Sequence, residues 1–288
     1  MEDIKTNRNG KFITLTFSNE GLKRVYDDVK KLEWIDGELK PRISEMPEGY
    51  DLDNEIAKRA MRRFLERWRK EYGKSLRHWM VTELGHNGTE NIHMHGIVWS
   101  DDISKLSKIW SYGFVWDGDN MQNGTKMNYV NERTVNYIVK YVSKADEKHK
   151  GYKSKVLTSP GIGKNYVLTA NSKRNKYCGT GTDETYRTKQ GNKIALPIYW
   201  RNKIYSEEER EKLWLEKLDK QERWVCGEKV SIKHGYKNYD ELIEFHRERN
   251  KELGYGNGKI SWREQAYQEE RRMILIATRL NAANTFDL

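Results

Sequence analysis

The spacing of hydrophobic residues predicts the first elements of the chain. Residues 11–17 (KFITLTF) alternate between apolar and polar side chains, which is typical of a β-strand with one buried face. A helix is predicted over residues 20–32. Residues 54–72 carry apolar side chains at every third or fourth position, which predicts a strongly amphipathic helix. The outer face of that helix is rich in lysine and arginine, which fits either a hydrated surface or contact with DNA.

The middle and the end of the chain continue this mixed pattern. Two runs, 76–84 and 91–100, flank the turn-rich sequence GHNGTE, which is typical of a β-hairpin. In chain order, the other predicted elements are a helix over 103–110, a strand over 113–116, a polar loop over 117–126 and helices over 132–147, 207–222, 240–253 and 261–280. We therefore expect an α+β fold, with an antiparallel β-sheet core flanked by helices over residues 1–200 and a helical C-terminal region over residues 201–288.

Composition adds a class of partner to this picture. The 288 residues include 53 lysines and arginines against 43 aspartates and glutamates, a formal net charge of +10. Such an excess favours a polyanionic partner, because each phosphate contact releases a counterion. Cys178 and Cys226 form no CxxC pair, so a cysteine zinc finger is excluded and a reducing cytoplasm is expected. The chain has no long apolar run and no signal-peptide core at its N-terminus, so no membrane partner is expected.

The second strand of the predicted hairpin carries two histidines at a spacing of two. His93 and His95 flank Met94, so both imidazoles face the same side of the strand and can hold one metal ion. If Glu83 on the preceding strand lies opposite either histidine, its carboxylate joins them and leaves open positions for substrate oxygens. Phosphate oxygens and a carboxylate favour Mg²⁺ or Mn²⁺ over zinc. The alternative is that both histidines are ordinary strand residues, and His86 in the turn is not expected to be a ligand.

The helix predicted over residues 132–147 has a polar stripe. Its members recur at helical positions 0, 3, 4 and 7 of one face: Tyr137, Lys140, Tyr141 and Lys144. The opposite side, which we expect to face the core, carries Val135, Ile138, Val139, Val142 and Ala145. The tyrosines therefore lie outside the predicted core-packing face. The alternative is that they are amphipathic aromatic side chains half-buried along a groove.

This stripe has the chemistry of a tyrosine nucleophile. A phenol has a pKa of about 10, and a lysine ammonium one turn away favours its ionised form. Attack of the phenolate on a phosphodiester gives a phosphotyrosine and frees a DNA hydroxyl, while a metal ion across the cleft polarises the phosphate. Because the energy of the broken bond is retained, the reverse reaction joins strands. Two tyrosines allow one to hold a covalent strand while the other attacks the next site.

Taken together, three sequence blocks resemble the HUH endonuclease superfamily. They are FITLTF at 12–17, the His93-Met94-His95 strand preceded by VTELG, and YIVKYVSK at 137–144. The greatest likeness is to the replication initiators of microviruses, which are small circular single-stranded DNA phages, including the gokushovirus branch. SPGIGKNY at 159–166 also resembles a segment of that branch. The resemblance extends over residues 11–170.

This resemblance implies an HUH endonuclease fold, a nicking and joining domain over residues 1–200 and a defined division of roles. Metal ligation falls to His93, His95 and Glu83, nucleophilic attack to Tyr137 and Tyr141, and support of the nucleophile to Lys144 and Lys140. The implied activity is nicking of single-stranded DNA at a viral replication origin through a 5′-phosphotyrosine link. Strand transfer and closure in rolling-circle replication follow, in the cytoplasm of a bacterial host.

Competing interpretations differ in what they predict for cleavage. GYGNGKIS at 254–261 lacks the first glycine and the final hydroxyl of a GxxxxGK[ST] loop, so no ATPase is expected and a host helicase would have to open the duplex. Plasmid initiators and transposases share the same chemistry, and paired tyrosines favour an initiator. A noncatalytic single-stranded DNA-binding protein would bind without cleaving. A hydrolase that uses water would leave no covalent protein–DNA product.

Overall fold

The computed structural model describes residues 2–30, 32–35, 38–41, 46–88, 90–118, 121–122, 125–126, 128–143, 146–188, 191–254 and 261–284. The chain divides into two compact units. Unit 1 consists of Asp3–Ile162 and Gly258–Leu288, and unit 2 consists of Gly163–Asn257. Within the described ranges, every helix is too short or too polar to cross a bilayer.

The first part of the chain alternates helices and strands. In order, the elements are α1 (Glu2–Thr6), β1 (Gly10–Leu15), α2 (Asn19–Lys30), β2 (Leu32–Ile35), β3 (Glu38–Pro41), α3 (Gly49–Tyr72), β4 (Arg77–Leu84) and β5 (Ile92–Trp99). They are followed by α4 (Ser104–Ile109), β6 (Val115–Trp116), β7 (Met121–Gln122), β8 (Thr125–Lys126), α5 (Glu132–Ser143) and β9 (Val156–Thr158). Helix α3 ends at Gly73, whose positive φ of 66° lets its N–H bond back to the Arg69 carbonyl.

Unit 1 is built on a five-stranded sheet in the order β6-β1-β5-β4-β9. Every neighbouring pair that includes β1 or β4 is antiparallel. Because side chains alternate along each strand, the sheet has two distinct faces. The helix face packs against α2 and α3 through a large apolar core that includes Ile13, Leu15, Met80, Met94 and Val98. The site face carries Phe12, Thr14, Glu83, His93 and His95, and α5 packs there over β4.

One glycine allows β4 and β5 to lie close together beside the histidines. A Cβ atom at Gly96 would lie 2.1 Å from the Trp79 carbonyl oxygen and 2.6 Å from the Met80 Cα. Any side chain at this position would therefore force the two strands apart. The residue after His95 thus protects the strand spacing on which the site depends.

The rest of the chain forms unit 2 and one helix of unit 1. Two 3₁₀ helices (Lys164–Leu168 and Ala170–Asn175) precede β10 (Thr185–Arg187), β11 (Lys193–Ala195), α6 (Ile198–Ile204), α7 (Glu207–Lys220), β12 (Glu222–Val225), β13 (Glu228–Ser231) and α8 (Lys237–Glu252). Unit 2 has a small aromatic core, in which the rings of Tyr166 and Trp200 stack with centroids 3.9 Å apart. The last helix, α9 (Trp262–Asn284), belongs to unit 1 and packs against α2 and α3.

The predicted α+β fold, with an antiparallel sheet flanked by helices and a C-terminal helix, is confirmed. Three details differ. The segment 117–126, predicted as a loop, contains the β7–β8 ladder, and the Asn-Gly pair between those strands is a hairpin signal. The β12–β13 hairpin interrupts the region 201–288 that was predicted to be helical. The compact units also differ from the predicted domains 1–200 and 201–288, because α9 packs on the helices of unit 1.

Candidate functional site

The register of the β4–β5 hairpin brings the three predicted metal ligands together. Glu83 lies directly opposite His93, and Val81 lies opposite His95, so all three polar side chains share the site face. Glu83 Oε2 is 2.5 Å from His95 Nε2 and 3.2 Å from His93 Nε2. The two imidazole rings are nearly perpendicular, with centroids 4.5 Å apart. The structure therefore has the even pairing on which the predicted site depends.

Neighbouring groups orient both imidazoles. His93 Nδ1 lies 3.0 Å from the Asn91 carbonyl oxygen, which can only accept a hydrogen bond, so Nδ1 carries the proton. The Thr14 hydroxyl lies 2.9 Å from His95 Nδ1. Each ring thus meets a partner at Nδ1 and turns Nε2 towards Glu83. Such outer partners fix the ring and the tautomer of a metal-binding histidine.

The charges of the cluster suit a divalent cation. Burial opposes ionisation of Glu83, but hydrogen bonds from His93 and His95 outweigh it and lower its pKa to about 2. Burial lowers the pKa of His95, which favours the neutral imidazole that a metal ion requires. Two nitrogen atoms and one carboxylate oxygen within 4.8 Å of one another form a set that leaves positions open for substrate. The donor set of this site therefore fits one Mg²⁺ or Mn²⁺ ion.

A tyrosine of α5 reaches the same face of the sheet. The Tyr137 side chain is 47% exposed, and its ring meets the ring of Phe12 edge to face at a centroid distance of 5.9 Å. On its other side, Phe12 lies parallel to the His95 ring at 6.3 Å. Phe12 therefore connects the candidate metal centre to an accessible phenol.

The core-facing side of α5 is narrower than predicted. Ile138 is fully buried and Val135 packs partly against the same small cluster, which also contains Val81 and Ile97. Val139 and Val142, however, are 47% and 43% exposed, so their predicted place in the core is wrong. Val139 lies about 100° round the helix from Ile138, and Val142 is next to the helix end at Ser143, so neither is on the contact line.

Three other predicted site residues lie wholly or partly beyond what the structure describes. Lys140 and Tyr141 belong to α5, but their side chains are outside the described residues. Lys144 lies outside the described residues altogether. The tyrosine and lysine roles assigned to these positions therefore stay predictions.

The basic helix α3 lies on the opposite side of the sheet from the site. Its apolar side packs into the core of the helix face. Arg63 donates two hydrogen bonds to Asp28 and one to Glu66, and Arg62 also pairs with Glu66. These ion pairs favour the interpretation of this helix as a hydrated surface over direct contact with DNA at the site.

The sequence analysis missed the residues that support the ligands. Phe12 and Thr14 lie on the polar side of the period-two strand, but only the pairing of β1 with β5 reveals that Thr14 is opposite His95. Asn91 was placed at the start of the strand and given no role. His86 lies instead near Asp146, with 3.3 Å between its Nε2 and Asp146 Oδ2.

Comparison with known proteins gives one result that bears on function. No curated protein and no solved structure matches the chain significantly. A family model for replication-associated proteins of the ORF2 type matches residues 10–146, a segment that contains every predicted site residue, and this match indicates a replication initiator.

Proposed function

We propose that this protein initiates rolling-circle replication by nicking single-stranded DNA with a tyrosine, in the manner of HUH endonucleases of the microvirus type. The observation that carries the proposal is the packing of Phe12 between His95 and Tyr137. It puts an accessible phenol on the sheet face that holds three metal-binding side chains. The family match over the same segment supports the replication role.

The residues of the chain divide the work of such a reaction. Glu83, His93 and His95 would hold Mg²⁺ or Mn²⁺, which when bound polarises the scissile phosphate and offsets the charge that grows on its oxygens. Asn91 and Thr14 keep both rings turned so that Nε2 faces the ion. Because these contacts exist before substrate binds, the site needs little reorganisation during the reaction.

The proposed nick exchanges one ester bond for another. The phenolic oxygen of Tyr137 or Tyr141 loses its proton and attacks the phosphorus. A bond forms between that oxygen and phosphorus, the bond to the 3′ oxygen breaks, and the 3′ oxygen takes up a proton. The products are a 5′-phosphotyrosine and a free 3′ hydroxyl, and attack by a 3′ hydroxyl on the phosphotyrosine joins strands. Lys140 and Lys144 are proposed to stabilise the phenolate.

The proposal is tested by trapping the covalent product. Purified protein is incubated with Mn²⁺ and tiled oligonucleotides that cover both strands of the replicon encoding the chain, and the mixture is run on a denaturing gel. Oligonucleotides labelled at the 3′ end should shift with the protein, while those labelled at the 5′ end should be released. The variants are Tyr137→Phe, Tyr141→Phe, their combination and His93→Ala with His95→Ala. Tyr129→Phe, an exposed tyrosine outside α5, is the matched control.

Loss of the adduct in the double tyrosine and double histidine variants, with retention in Tyr129→Phe, would support metal-dependent tyrosine nicking. Loss in one single variant would identify the first nucleophile. Binding of the oligonucleotides by wild type without any adduct would instead favour a noncatalytic single-stranded DNA-binding protein. Cleavage without an adduct would favour hydrolysis by water.

A further inference from the structure

A second group of histidines and a carboxylate lies at the turn of the β4–β5 hairpin. We call it the turn cluster, and it consists of His86, Asp146 and His149. Asp146 Oδ2 is 3.3 Å from His86 Nε2 and 2.7 Å from His149 Nδ1. The three ligand atoms lie within 4.8 Å of one another, and the two rings have centroids 5.5 Å apart.

The geometry holds Asp146 ready for a cation. Its other oxygen, Oδ1, accepts hydrogen bonds of 3.0 Å from the backbone N–H groups of Lys148 and His149. These bonds leave Oδ2 turned towards the two imidazoles. A carboxylate with one fixed oxygen and one shared oxygen is a typical monodentate metal ligand.

His149 has an acceptor at each ring nitrogen. Its side chain is fully buried, with Nδ1 at 2.7 Å from Asp146 and Nε2 at 2.9 Å from Glu90 Oε2. A neutral imidazole has a single N–H, so it can donate to one of these carboxylates and not to both. The second contact needs either an extra proton on His149 or a metal ion between Nδ1 and Asp146.

Glu90 has the place of an orienting carboxylate behind a metal-bound histidine. It is 2% exposed, and both its oxygens bind Arg271, at 2.5 and 2.8 Å. Lys148 also pairs with it, 2.8 Å from Oε1. With its charge offset in this way, Glu90 can receive the Nε2 proton of His149 and leave Nδ1 free as a ligand. The arrangement carboxylate–histidine–metal is a recurring one in zinc sites.

We infer that the turn cluster binds a divalent transition-metal ion, with Zn²⁺ the best match, at a site separate from the candidate metal centre. Two imidazoles and one carboxylate are a borderline donor set that suits zinc better than magnesium. Ligand atoms on a tetrahedral zinc ion lie about 3.3 Å apart, so His149 and Asp146 must separate by roughly 0.6 Å to admit it. His86 is partly exposed, and solvent supplies the fourth position.

Such an ion would be a structural clamp. Asp146 and His149 follow the tyrosine helix α5, which ends at Ser143, and His86 belongs to the turn between the two strands that carry Glu83, His93 and His95. Zinc at the turn cluster would fasten the chain that follows the tyrosine helix to the hairpin of the metal centre. The inference does not depend on nicking, because metal binding and stability report on it directly.

The test removes the first site and counts what is left. His93→Ala with His95→Ala is dialysed against Zn²⁺, and the bound metal is measured together with the thermal midpoint and the absorption spectrum of the Co²⁺-loaded protein. One equivalent of zinc, a raised midpoint and a Co²⁺ spectrum of low coordination number are expected. Adding His86→Ala, or separately Asp146→Asn, should weaken zinc binding at least tenfold. Adding His234→Ala, an exposed histidine of unit 2, should leave it unchanged.

Two results would overturn the inference. One is the absence of bound zinc in the double histidine variant, which would make the turn cluster an ion-pair network with a protonated His149. The other is zinc binding that persists undiminished in both the His86→Ala and Asp146→Asn proteins, which would place the ion elsewhere. The midpoint measured without zinc shows whether each variant is folded.

Discussion

The candidate metal centre and the turn cluster contain the same three kinds of group, but they are assembled in different ways. In the metal centre, all three ligands lie on two adjacent strands, and the register of one hairpin sets their distances. In the turn cluster, His86 is 60 residues from Asp146 in the chain, and the cluster relies on Glu90 and Arg271, which is 181 residues beyond Glu90. The metal centre is therefore a local structure of one sheet, whereas the turn cluster depends on the docking of α9.

This difference predicts two patterns of sensitivity. Changes on the site face should alter metal binding and chemistry with small effects on folding, because the ligands are partly exposed. Changes around the turn cluster should act mainly on stability, since its members are tied to a buried ionic network. Variants that reverse this pattern would break the comparison.

The largest effect on activity is expected from Glu83→Gln. The substitution keeps the size of the side chain but removes the charge that binds both imidazoles and the cation. The rate of adduct formation should fall about 10³-fold, since loss of a bound metal removes several kcal/mol of transition-state stabilisation. Rates are measured under single-turnover conditions with Mn²⁺. Glu71→Gln, at an exposed position of α3, is the matched control and should nick at the wild-type rate.

His86→Ala makes the same experiment a test of the comparison. If the turn cluster is a structural clamp, this variant should nick within about tenfold of wild type. A Glu83→Gln protein as active as its control would remove this carboxylate from the proposed mechanism.

The contrast between the clusters also explains how far the sequence could predict the site. The period-two pattern and the hairpin signal suffice to place Glu83, His93 and His95 on one face, because strand geometry and register determine it. They could not predict Thr14 beside His95, because that contact arises from the pairing of β1 with β5. Nor could they predict His149 beside His86, since irregular segments carry no periodic signal of their position.

The fold shows the same division. Elements with strong periodicity, such as α3, were predicted to within a few residues, although α3 begins at Gly49 and the pattern placed its start at 54. The edge strand β9 was not predicted, because its three residues are too short for a period-two pattern. The return of α9 to unit 1 depends on buried charged residues, which hydrophobic patterns do not detect.

The largest effect on stability is expected from Arg272→Ala. Arg272 is buried on α9, where it donates to both oxygens of Asp53, at 2.6 and 2.7 Å, and to the Glu90 carbonyl at 2.8 Å. Burial raises the pKa of Asp53 even though the Arg272 guanidinium opposes that shift, so the pair is strongly desolvated. Removing one partner should lower the free energy of unfolding by about 3–5 kcal/mol.

The free energy of unfolding is measured by urea denaturation followed by circular dichroism. Arg263→Ala, an exposed arginine of the same helix, should change it by no more than about 0.5 kcal/mol. Equal losses in the two variants would show that docking of α9 does not depend on the buried pair. Mn²⁺ binding by the folded fraction of Arg272→Ala should remain close to that of wild type.

A smaller effect is expected from Thr14→Val. The valine has a similar shape but no hydroxyl, so His95 Nδ1 loses its partner on the site face. Affinity for Mn²⁺ should fall about 10- to 100-fold, which is the usual cost of removing an outer partner of a metal-binding histidine. Isothermal titration measures it, and Thr16→Val is the control, because the Thr16 hydroxyl bonds the Phe114 backbone instead. Unchanged affinity in Thr14→Val would mean that the hairpin alone orients His95.

The smallest expected effect is a difference in acid stability between the two clusters without metal. Hydrogen bonds from their histidines overcome burial and lower the pKa of Glu83 to about 2 from 4.5, and that of Asp146 to about 2 from 3.8. Each carboxyl therefore binds protons more readily in the unfolded chain, so its contribution to stability is present at higher pH and is lost as the pH falls towards 2. Free energies of unfolding with a chelator, from pH 6 to pH 2.5, should show the loss of the Glu83 contribution starting near pH 4.5 and that of Asp146 starting near pH 3.8. Glu83→Gln and Asp146→Asn should each flatten their own part of the curve. A variant curve parallel to that of wild type would show that the carboxyl titrates alike in both states, and that its contacts with histidine do not stabilise the fold.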